Sequence, residues 1–313
     1  MSSSENGSNG VNSKKVWTTL ITNTAYLSGL LILDYSLRRS RSKYPLLVLY
    51  TDSFPAEGHA ALDLRGIAKR HVPYLLPSVP KEYTNDVRFY DCWSKLTPFS
   101  LVEYDRVVQL DSDMVVLQNM DELMDLELDP PAVGGSGTRV FAAAHACVCN
   151  PLHRSHYPKD WVPANCAYTT QHAAPNDAQK IGAPAATGLG IPNGGLQVVN
   201  PSQDIYDKII AQLATPATSS YEFADQSLLA DMFHGRWVAL PYDYNALNTI
   251  RWKGVHDAIW RDEEIKNIHY ILSPKPFEET ADQRRQDPSH EWWYILNEER
   301  LEKEKESGLN DGF

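Results

Sequence analysis

Short apolar runs alternate with amphipathic helical stretches through the first 110 residues. The pattern predicts strands at 16–21, 46–50, 71–76 and 106–110, separated by helices at 25–39, 60–70 and 93–103. Strands joined by helices pair in parallel, with helices covering the sheet. The alternation therefore predicts an α/β fold with a Rossmann-like, mostly parallel central sheet.

The rest of the chain is predicted to extend the same domain. Residues 130–190 are rich in Ala, Gly, Pro, His and Cys and show no period, which indicates a long irregular insert. Residues 1–14 are polar and are predicted to be a flexible tail, which leaves 15–313 as one domain. Later elements are predicted as strands at 196–199 and 237–240, helices at 202–213 and 224–233, and a C-terminal helix at about 288–305 capped by Asp287, with Pro288 in its first turn.

The charge balance excludes one class of partner. The 313 residues include 40 acidic and 29 basic side chains, for a net charge of −11, which argues against a nucleic acid held through its phosphates. No apolar run approaches the roughly 18 residues of a membrane helix, and the first 12 residues lack an apolar signal core. We therefore expect no membrane partner and a cytoplasmic location, where the four cysteines would be reduced thiols.

Two carboxylates end the apolar run 107–110. Asp111 and Asp113 are two positions apart, so an extended backbone turns them to the same side, where like charges are costly unless a cation lies between them. A divalent ion bound there could hold a phosphate on this acidic protein. A solvated turn between two strands is the alternative, but ligands of open α/β sheets bind at such strand ends, which favours a metal site.

Two common nucleotide-binding motifs are missing. The segment Gly188-Leu189-Gly190-Ile191-Pro192-Asn193 lacks the last glycine of the dinucleotide fingerprint and contains a proline, and no Gly-Lys-Ser/Thr loop occurs. Hydride transfer and P-loop chemistry are therefore disfavoured.

Six segments, in order, carry a family resemblance. They are Thr19-Leu20-Ile21-Thr22-Asn23-Thr24-Ala25-Tyr26, Lys95-Leu96, Leu110-Asp111-Ser112-Asp113, Pro192-Asn193-Gly194-Gly195, Asp225-Gln226, and His269-Tyr270 with Lys275-Pro276-Phe277. On these, the chain resembles the retaining sugar-nucleotide glycosyltransferases of family 8, which include glycogenin and galactinol synthase. The resemblance implies a GT-A fold and a UDP-sugar donor.

The resemblance also implies roles for individual residues. Asp111, Asp113 and His269 would bind Mn²⁺, an ion that suits mixed oxygen and imidazole ligands. The uridine diphosphate would contact Leu20, Asn23, Tyr26, Asp111, Ser112 and Lys275, with Tyr26 stacked on the base and Lys275 on the diphosphate. The donor sugar would contact Lys95, Asn193, Gly194, Asp225 and Gln226, and the catalytic candidates among these are Lys95, Asp225 and Gln226.

Several of these residues have simpler explanations. His269 could be a core histidine, Tyr26 could be core packing, Lys275 could be merely exposed, and Asp225 could cap the following helix. In family sequences that have a glycine in this segment, the glycine lies three residues after the histidine. In this chain the residue at that position is Leu272. In glycogenin the acceptor tyrosine follows a Tyr-Asn pair at a fixed interval. The same interval counted from Tyr244-Asn245 ends at Trp252, which has no hydroxyl to glycosylate.

The insert suggests a second hypothesis. Cys147, Cys149 and Cys166 resemble the cysteines of galactinol-synthase-like members, and with His145, His153 and His156 they offer zinc ligands. A single residue between Cys147 and Cys149 is not the usual spacing, so the sequence favours buried thiols.

We therefore predict a Mn²⁺-dependent retaining transferase that moves galactose or glucose from a UDP-sugar to a small polyol or sugar such as myo-inositol. The alternatives are a glycogenin-like self-glucosylating primer and a non-catalytic UDP-sugar-binding protein. Exposed Trp292 and Trp293 would indicate a homo-oligomer interface.

Overall fold

The computed structural model describes residues 11–79, 81–280, 282–283 and 287–313. Residues 1–10 of the predicted tail lie outside the described residues.

The central sheet is mostly parallel. Its first half contains β1 (Lys15–Ile21), β2 (Leu46–Tyr50), β3 (Ala68–His71) and β4 (Arg106–Leu110), paired in parallel in the order β3-β2-β1-β4. The sheet continues antiparallel from β4 to β7 (Leu196–Val199) and from β7 to β6 (Phe141–Ala143), and then parallel to β8 (Val238–Ala239). The predicted α/β fold with a mostly parallel sheet is confirmed.

A small second sheet lies beyond the carboxyl end of β4. It contains β5 (Met114–Val116), β9 (Ala246–Leu247) and β10 (Asn267–His269) in the order β5-β10-β9. In the antiparallel pair of β5 and β10, Met114 is opposite His269. This pairing brings His269 beside the Asp111-Ser112-Asp113 segment, which connects β4 to β5.

Helices connect and cover the strands. The α-helices are α1 (Leu27–Arg39), α2 (Ala56–Leu64), α3 (Phe89–Cys92), α4 (Ala167–Thr170), α5 (Gln203–Leu213), α6 (Ala224–Met232) and α7 (His290–Glu306). Short 3₁₀ helices occupy Thr24–Tyr26, Trp93–Ser100, Asp121–Asp125, Pro131–Val133, Pro163–Asn165, Gln171–Ala173, Pro216–Ser220, Tyr242–Asn245, Asn248–Arg251, Asp262–Glu264 and Pro276–Glu278. None of the helices in the described part of the chain is both long and apolar enough to cross a membrane.

Two predicted elements in the first 80 residues are wrong in position. The helix expected at 60–70 is α2, which starts directly after Pro55 and ends before Gly66, whose φ is +63°. The strand expected at 71–76 is β3, which starts three residues earlier and ends at His71. This strand is polar because it lies at the edge of the sheet, where side chains stay in solvent. The apolar run used for the prediction therefore does not mark its position.

Other predictions need smaller corrections. The stretch at 93–103 forms a 3₁₀ helix over Trp93–Ser100, with Pro98 inside it, and ends three residues earlier than predicted. The insert 130–190 is not wholly irregular, since it supplies β6. The C-terminal helix starts at His290, and Asp287 instead accepts a bond from the backbone N–H of Ser289 at 2.9 Å.

The two tryptophans of α7 do not meet the condition of exposure that would indicate an oligomer interface. Trp293 is buried in the core, and Trp292 is only half-exposed beside the same cluster. Neither side chain therefore indicates an oligomer interface.

Candidate active site

The aspartate motif lies in the turn that leads from β4 to β5. The Asp111 backbone N–H donates to the Gly195 carbonyl at 2.8 Å, and the hydroxyls of Ser112 and Thr19 are bonded at 3.0 Å. Asp113 is 7% exposed. The motif therefore does join two strands, but it is fixed by neighbouring elements and is not the solvated turn of the alternative interpretation.

The two carboxylates converge on one nitrogen of His269. Asp113 Oδ1 lies 3.2 Å from His269 Nε2, and Asp111 Oδ2 lies 3.8 Å from the same atom. One ligand atom from each of the three residues falls within 4.8 Å of the others. The arrangement is a compact set of two hard oxygens and one imidazole nitrogen, which suits a divalent metal such as Mn²⁺.

The other nitrogen of His269 is bonded to a residue that the sequence did not single out. His269 Nδ1 lies 2.9 Å from Asn245 Oδ1, and the Asn245 amide donates to Asn193 Oδ1 at 2.9 Å. Asn193 Oδ1 also accepts from the backbone N–H of Gly195 at 3.0 Å, so this oxygen is an acceptor and the orientation of the Asn245 amide follows from it. His269 Nδ1 therefore carries a proton, and Nε2, the nitrogen that a metal would bind, faces the two aspartates.

The two carboxylate oxygens of Asp113 have different partners, Lys275 and His269. Its buried ammonium donates to Asp113 Oδ2 at 2.6 Å and also to the Tyr270 carbonyl, while Asp113 Oδ1 faces His269. Burial raises the pKa of Asp113, but the charges of Lys275 and His269 outweigh this effect and hold the pKa well below its usual value. Asp113 is thus held as a carboxylate, and Lys275 is buried beside it and not merely exposed. Within the described part of the chain the Lys275 ammonium has two acceptors, which leaves its third N–H donor for a bound ligand.

Lys95 bridges the aspartate motif and a second buried carboxylate. Its ammonium lies 3.1 Å from Asp111 Oδ2 and 3.8 Å from Asp225 Oδ2. Burial disfavours the ammonium, but the charges of Asp111 and Asp225 outweigh burial and raise the pKa of Lys95. Burial also raises the pKa of Asp225 to about 6, against the opposing charge of Lys95. A carboxyl tuned to this range can ionise near neutral pH, as catalytic carboxyls do.

Asp225 does not cap α6. It is the second residue of that helix, the N-cap position belongs to Phe223, and Ala224 between them has φ +40°. This left-handed conformation is uncommon for a residue with a side chain, and such strain is concentrated at functional sites. Gln226, which follows, accepts from the backbone N–H of Gly194 at 3.3 Å.

Two glycines let these side chains approach the end of β7. A Cβ atom on Gly194 would lie 2.3 Å from Asp225 Oδ2, and one on Gly195 would lie 2.4 Å from His269 Cε1. Both distances are shorter than any real Cβ contact. Only glycine therefore allows the carboxylate and the imidazole to lie against this backbone.

The loop after β1 forms the part of the site that is expected to hold uridine. Asn23 caps the 3₁₀ helix Thr24–Tyr26 by accepting from the Ala25 N–H at 2.9 Å. The Tyr26 hydroxyl accepts from Arg88 at 2.8 Å, and its ring meets Phe277 edge-on. Tyr26 is half-buried at the cavity wall and is not simple core packing.

An aromatic wall, defined here as Tyr157, Trp161 and Phe223, was not predicted from the sequence. The rings of Trp161 and Phe223 are stacked with centroids 4.2 Å apart, and Tyr157 meets both edge-on at 5.3 Å. Tyr157 and Trp161 are four residues apart in the insert, but Phe223 lies 62 residues after Trp161, so the three form no motif. The pair Tyr157 and Trp161 within the irregular insert is the signal that could have pointed to the wall.

One cavity of about 450 Å³ lies at this site. The structure brings into it every predicted site residue, namely Leu20, Asn23, Tyr26, Lys95, Asp111, Ser112, Asp113, Asn193, Gly194, Asp225, Gln226, His269 and Lys275. The aromatic wall lines the same cavity.

Leu272, in the loop between His269 and Lys275, has φ +70°. This is the conformation that glycine adopts freely and that costs other residues energy. The loop thus keeps a glycine-like backbone although leucine occupies the position.

This chain resembles known proteins over most of its length. The family model for glycosyl transferase family 8 matches residues 18–281. Galactinol synthase 2 of Solanum lycopersicum is 28% identical over 93% of this chain and 82% of its own length, and galactinol synthase 1 of Arabidopsis thaliana is 28% identical over 92% and 80%.

Solved structures show the fold. The galactosyltransferase LgtC, in complex with donor and acceptor sugar analogs, superposes with a TM-score of 0.54 at 15% identity, over 91% of this chain and 96% of LgtC. The glycosyltransferase GlyE of Streptococcus pneumoniae TIGR4 gives 0.55 at 18% identity, over 93% of this chain and 64% of GlyE. The chain has the GT-A fold expected from the sequence.

Proposed function

Because the chain belongs to glycosyl transferase family 8 and is a glycosyltransferase, we propose that it moves galactose or glucose from a UDP-sugar to a small hydroxylated acceptor. The observation that carries this proposal is the convergence of Asp111, Asp113 and His269 in the same cavity as the Lys95–Asp225 pair. Myo-inositol is the acceptor proposed first, because the similar plant proteins are galactinol synthases. The anomeric configuration is retained in this proposal.

The three candidate metal ligands support Mn²⁺ as the cofactor. Asp111 and Asp113 offer carboxylate oxygens, and the Nε2 lone pair of His269 is kept free by the bond between Nδ1 and Asn245. When bound, Mn²⁺ supplies positive charge that stabilises a diphosphate leaving group.

Each lysine has a separate task in the proposed reaction. The remaining donor of Lys275 binds the diphosphate, whose negative charge grows as its bond to the anomeric carbon breaks. Lys95 lies between Asp225 and Asp111, where its positive charge offsets the repulsion between the two carboxylates. The proton of the acceptor hydroxyl leaves with the released UDP, so the reaction needs no other proton acceptor.

Asp225 is the candidate for a nucleophile or for a group that stabilises positive charge on the sugar. Retention requires either a covalent intermediate on such a carboxylate or attack on the same face as the leaving group, and both routes remain open. Full activity of an Asp225→Asn variant would exclude both roles for Asp225.

The test compares two aspartates at opposite ends of β4. Asp111→Asn should abolish metal-dependent UDP release without unfolding the protein. Asp105→Asn, at an exposed position just before the strand, should keep it. Unchanged metal-dependent turnover in the Asp111 variant would contradict the proposal.

A cytoplasmic location stays a prediction from the sequence. The aromatic wall is proposed to face the acceptor, because the loop after β1 and the aspartate motif account for the nucleotide end of the cavity. Flat aromatic faces pack well against the C–H faces of a sugar or polyol, which gives this wall a use in binding.

A further inference from the structure

Three cysteines of the insert and a distant histidine meet at one point. Cys147, Cys149, Cys166 and His256 are all buried, and one ligand atom from each lies within 4.8 Å of the others. His256 Nε2 lies 3.1 Å from Cys149 Sγ and 3.3 Å from Cys166 Sγ.

The zinc ligand set considered from the sequence is therefore wrong in its histidines. His145 Nε2 is bonded to the Ala183 carbonyl at 2.9 Å, so this ring is occupied by the backbone. His153 and His156 do not belong to the cluster of ligand atoms found among the described residues. The histidine that completes the cluster lies 90 residues after Cys166 and outside the insert.

We propose that Cys147, Cys149, Cys166 and His256 bind a structural zinc ion. Three thiolates and one imidazole are a standard closed ligand set for Zn²⁺. A tetrahedral zinc ion with ordinary bond lengths separates a nitrogen ligand from a sulfur ligand by about 3.5 Å, so the two distances from His256 Nε2 need to lengthen by only a few tenths of an ångström.

The second nitrogen of His256 supports the assignment independently. His256 Nδ1 lies 2.9 Å from His172 Nε2. A metal-binding histidine usually places its other ring nitrogen on a hydrogen-bond partner, which fixes the ring and leaves the remaining lone pair for the metal. With a proton on Nδ1, the Nε2 lone pair of His256 points at the three sulfur atoms.

The surroundings indicate a structural site and not a catalytic one. All four positions of a tetrahedral ion would be taken by protein ligands, which leaves no place for a substrate. The cluster lies in the apolar core formed with Trp161, Tyr168 and Ile259. Cys147 also lines the active-site cavity, so the ion would fasten the aromatic wall to the segment that carries His256.

The first experiment measures bound metal by elemental mass spectrometry on the full chain, purified without added metal and washed with enough chelator to remove Mn²⁺. We expect about one zinc ion per chain. Cys166→Ser should lose this zinc. Cys92→Ser removes the cysteine outside the cluster and should keep it, and so should Asp111→Asn, which affects the other metal site.

A second measurement does not depend on the variants folding. The native protein, freed of metal and then given Co²⁺, should show an intense near-ultraviolet charge-transfer band from thiolate to cobalt. His172→Ala should lower the affinity for zinc by about 10-fold or more, as loss of a partner of a metal-binding histidine does elsewhere. Absence of zinc from the purified chain together with absence of the cobalt band would overturn the proposal, as would full zinc retention by Cys166→Ser.

Discussion

His269 Nδ1 donates a hydrogen bond to Asn245 Oδ1 across 2.9 Å, and this bond decides which nitrogen faces the aspartates. The orientation of Asn245 is set in turn by Asn193, and that of Asn193 by a backbone N–H of Gly195. The backbone N–H of Gly195, next to β7 of the central sheet, thus determines through two asparagines which nitrogen of His269 in the second sheet carries the proton.

The first prediction removes the partner of His269. Asn245→Ala deletes the acceptor for Nδ1, so the imidazole can rotate or place its proton on Nε2, and the affinity for Mn²⁺ should fall by about 10- to 100-fold. Titration of Mn²⁺ by electron paramagnetic resonance measures this, with Asp243→Asn as a control in the same 3₁₀ helix. An unchanged Mn²⁺ affinity in Asn245→Ala would show that the bond does not orient His269.

The second prediction concerns the stability cost of Asp225. Its pKa is about 6 in the folded protein and 3.8 for the free side chain, so ionisation of this buried carboxyl destabilises the folded state fully above pH 6. Asp225→Asn should therefore raise the free energy of unfolding by up to about 3 kcal/mol at pH 8 and by about half of that at pH 5. Urea unfolding at the two pH values measures the difference.

Asp243→Asn is the matched control for that experiment. Burial raises the pKa of Asp243 to about 7, and its Oδ1 has no hydrogen-bond partner within the described part of the chain. Both variants should be more stable at pH 8, but only Asp225→Asn should lose turnover, because Asp243 does not line the cavity. Equal losses of turnover in the two variants would contradict a specific role of Asp225.

The third prediction uses pH directly. If the reaction needs Asp225 as a carboxylate, turnover at saturating metal should fall as the pH drops through about 6, since the group gains a proton there. A cation bound beside Asp111 would favour the ionised form of Asp225 and would move the pH at which turnover falls to below 6. A rate that rises as the pH falls below 6 would mean that the protonated form is the active one.

The fourth prediction tests the strain at Leu272. Replacing an ordinary loop residue by alanine is less harmful than replacing it by glycine, but at φ +70° the order should reverse. We expect Leu272→Gly to be more stable than Leu272→Ala by about 1 kcal/mol in chemical unfolding, because both lose the same side chain and only alanine keeps the steric cost. A more stable alanine variant would contradict the strain.

The fifth prediction separates acceptor binding from donor binding. Trp161→Leu should raise KM for the acceptor several-fold and leave the Kd for UDP unchanged, because the aromatic wall is assigned to the acceptor. Trp260→Leu alters a tryptophan of the same core cluster that does not line the cavity and should change neither quantity. A weaker affinity for UDP in Trp161→Leu would move the wall to the nucleotide end.

Local sequence predicted those parts of the protein in which neighbours in the chain act together. The strands Leu46–Tyr50, Arg106–Leu110 and Leu196–Val199 lie where their apolar runs were found. Asp111 and Asp113 converge as expected, although they do so from the turn between β4 and β5 and not from an extended backbone. The edge strand Ala68–His71 was misplaced because an exposed strand needs no apolar run.

Contacts between distant segments could not be predicted in this way. Asn245 contacts His269 only because β9 and β10 pair, and a single Asn after Tyr244 carries no motif. His256 lies 107 residues from Cys149, and Phe223 lies far from Trp161. The family resemblance identified the residues that share a motif, whereas those that orient or enclose them became visible only in the fold.

The most direct test of the central claim measures UDP release from a panel of UDP-hexoses, with and without Mn²⁺ and myo-inositol, while the intact mass of the protein is recorded. The account predicts release that requires Mn²⁺ and acceptor, with no gain in mass. Hexose units added to the protein would instead indicate a self-glycosylating primer, and UDP-sugar binding without release under any of these conditions would contradict a transferase.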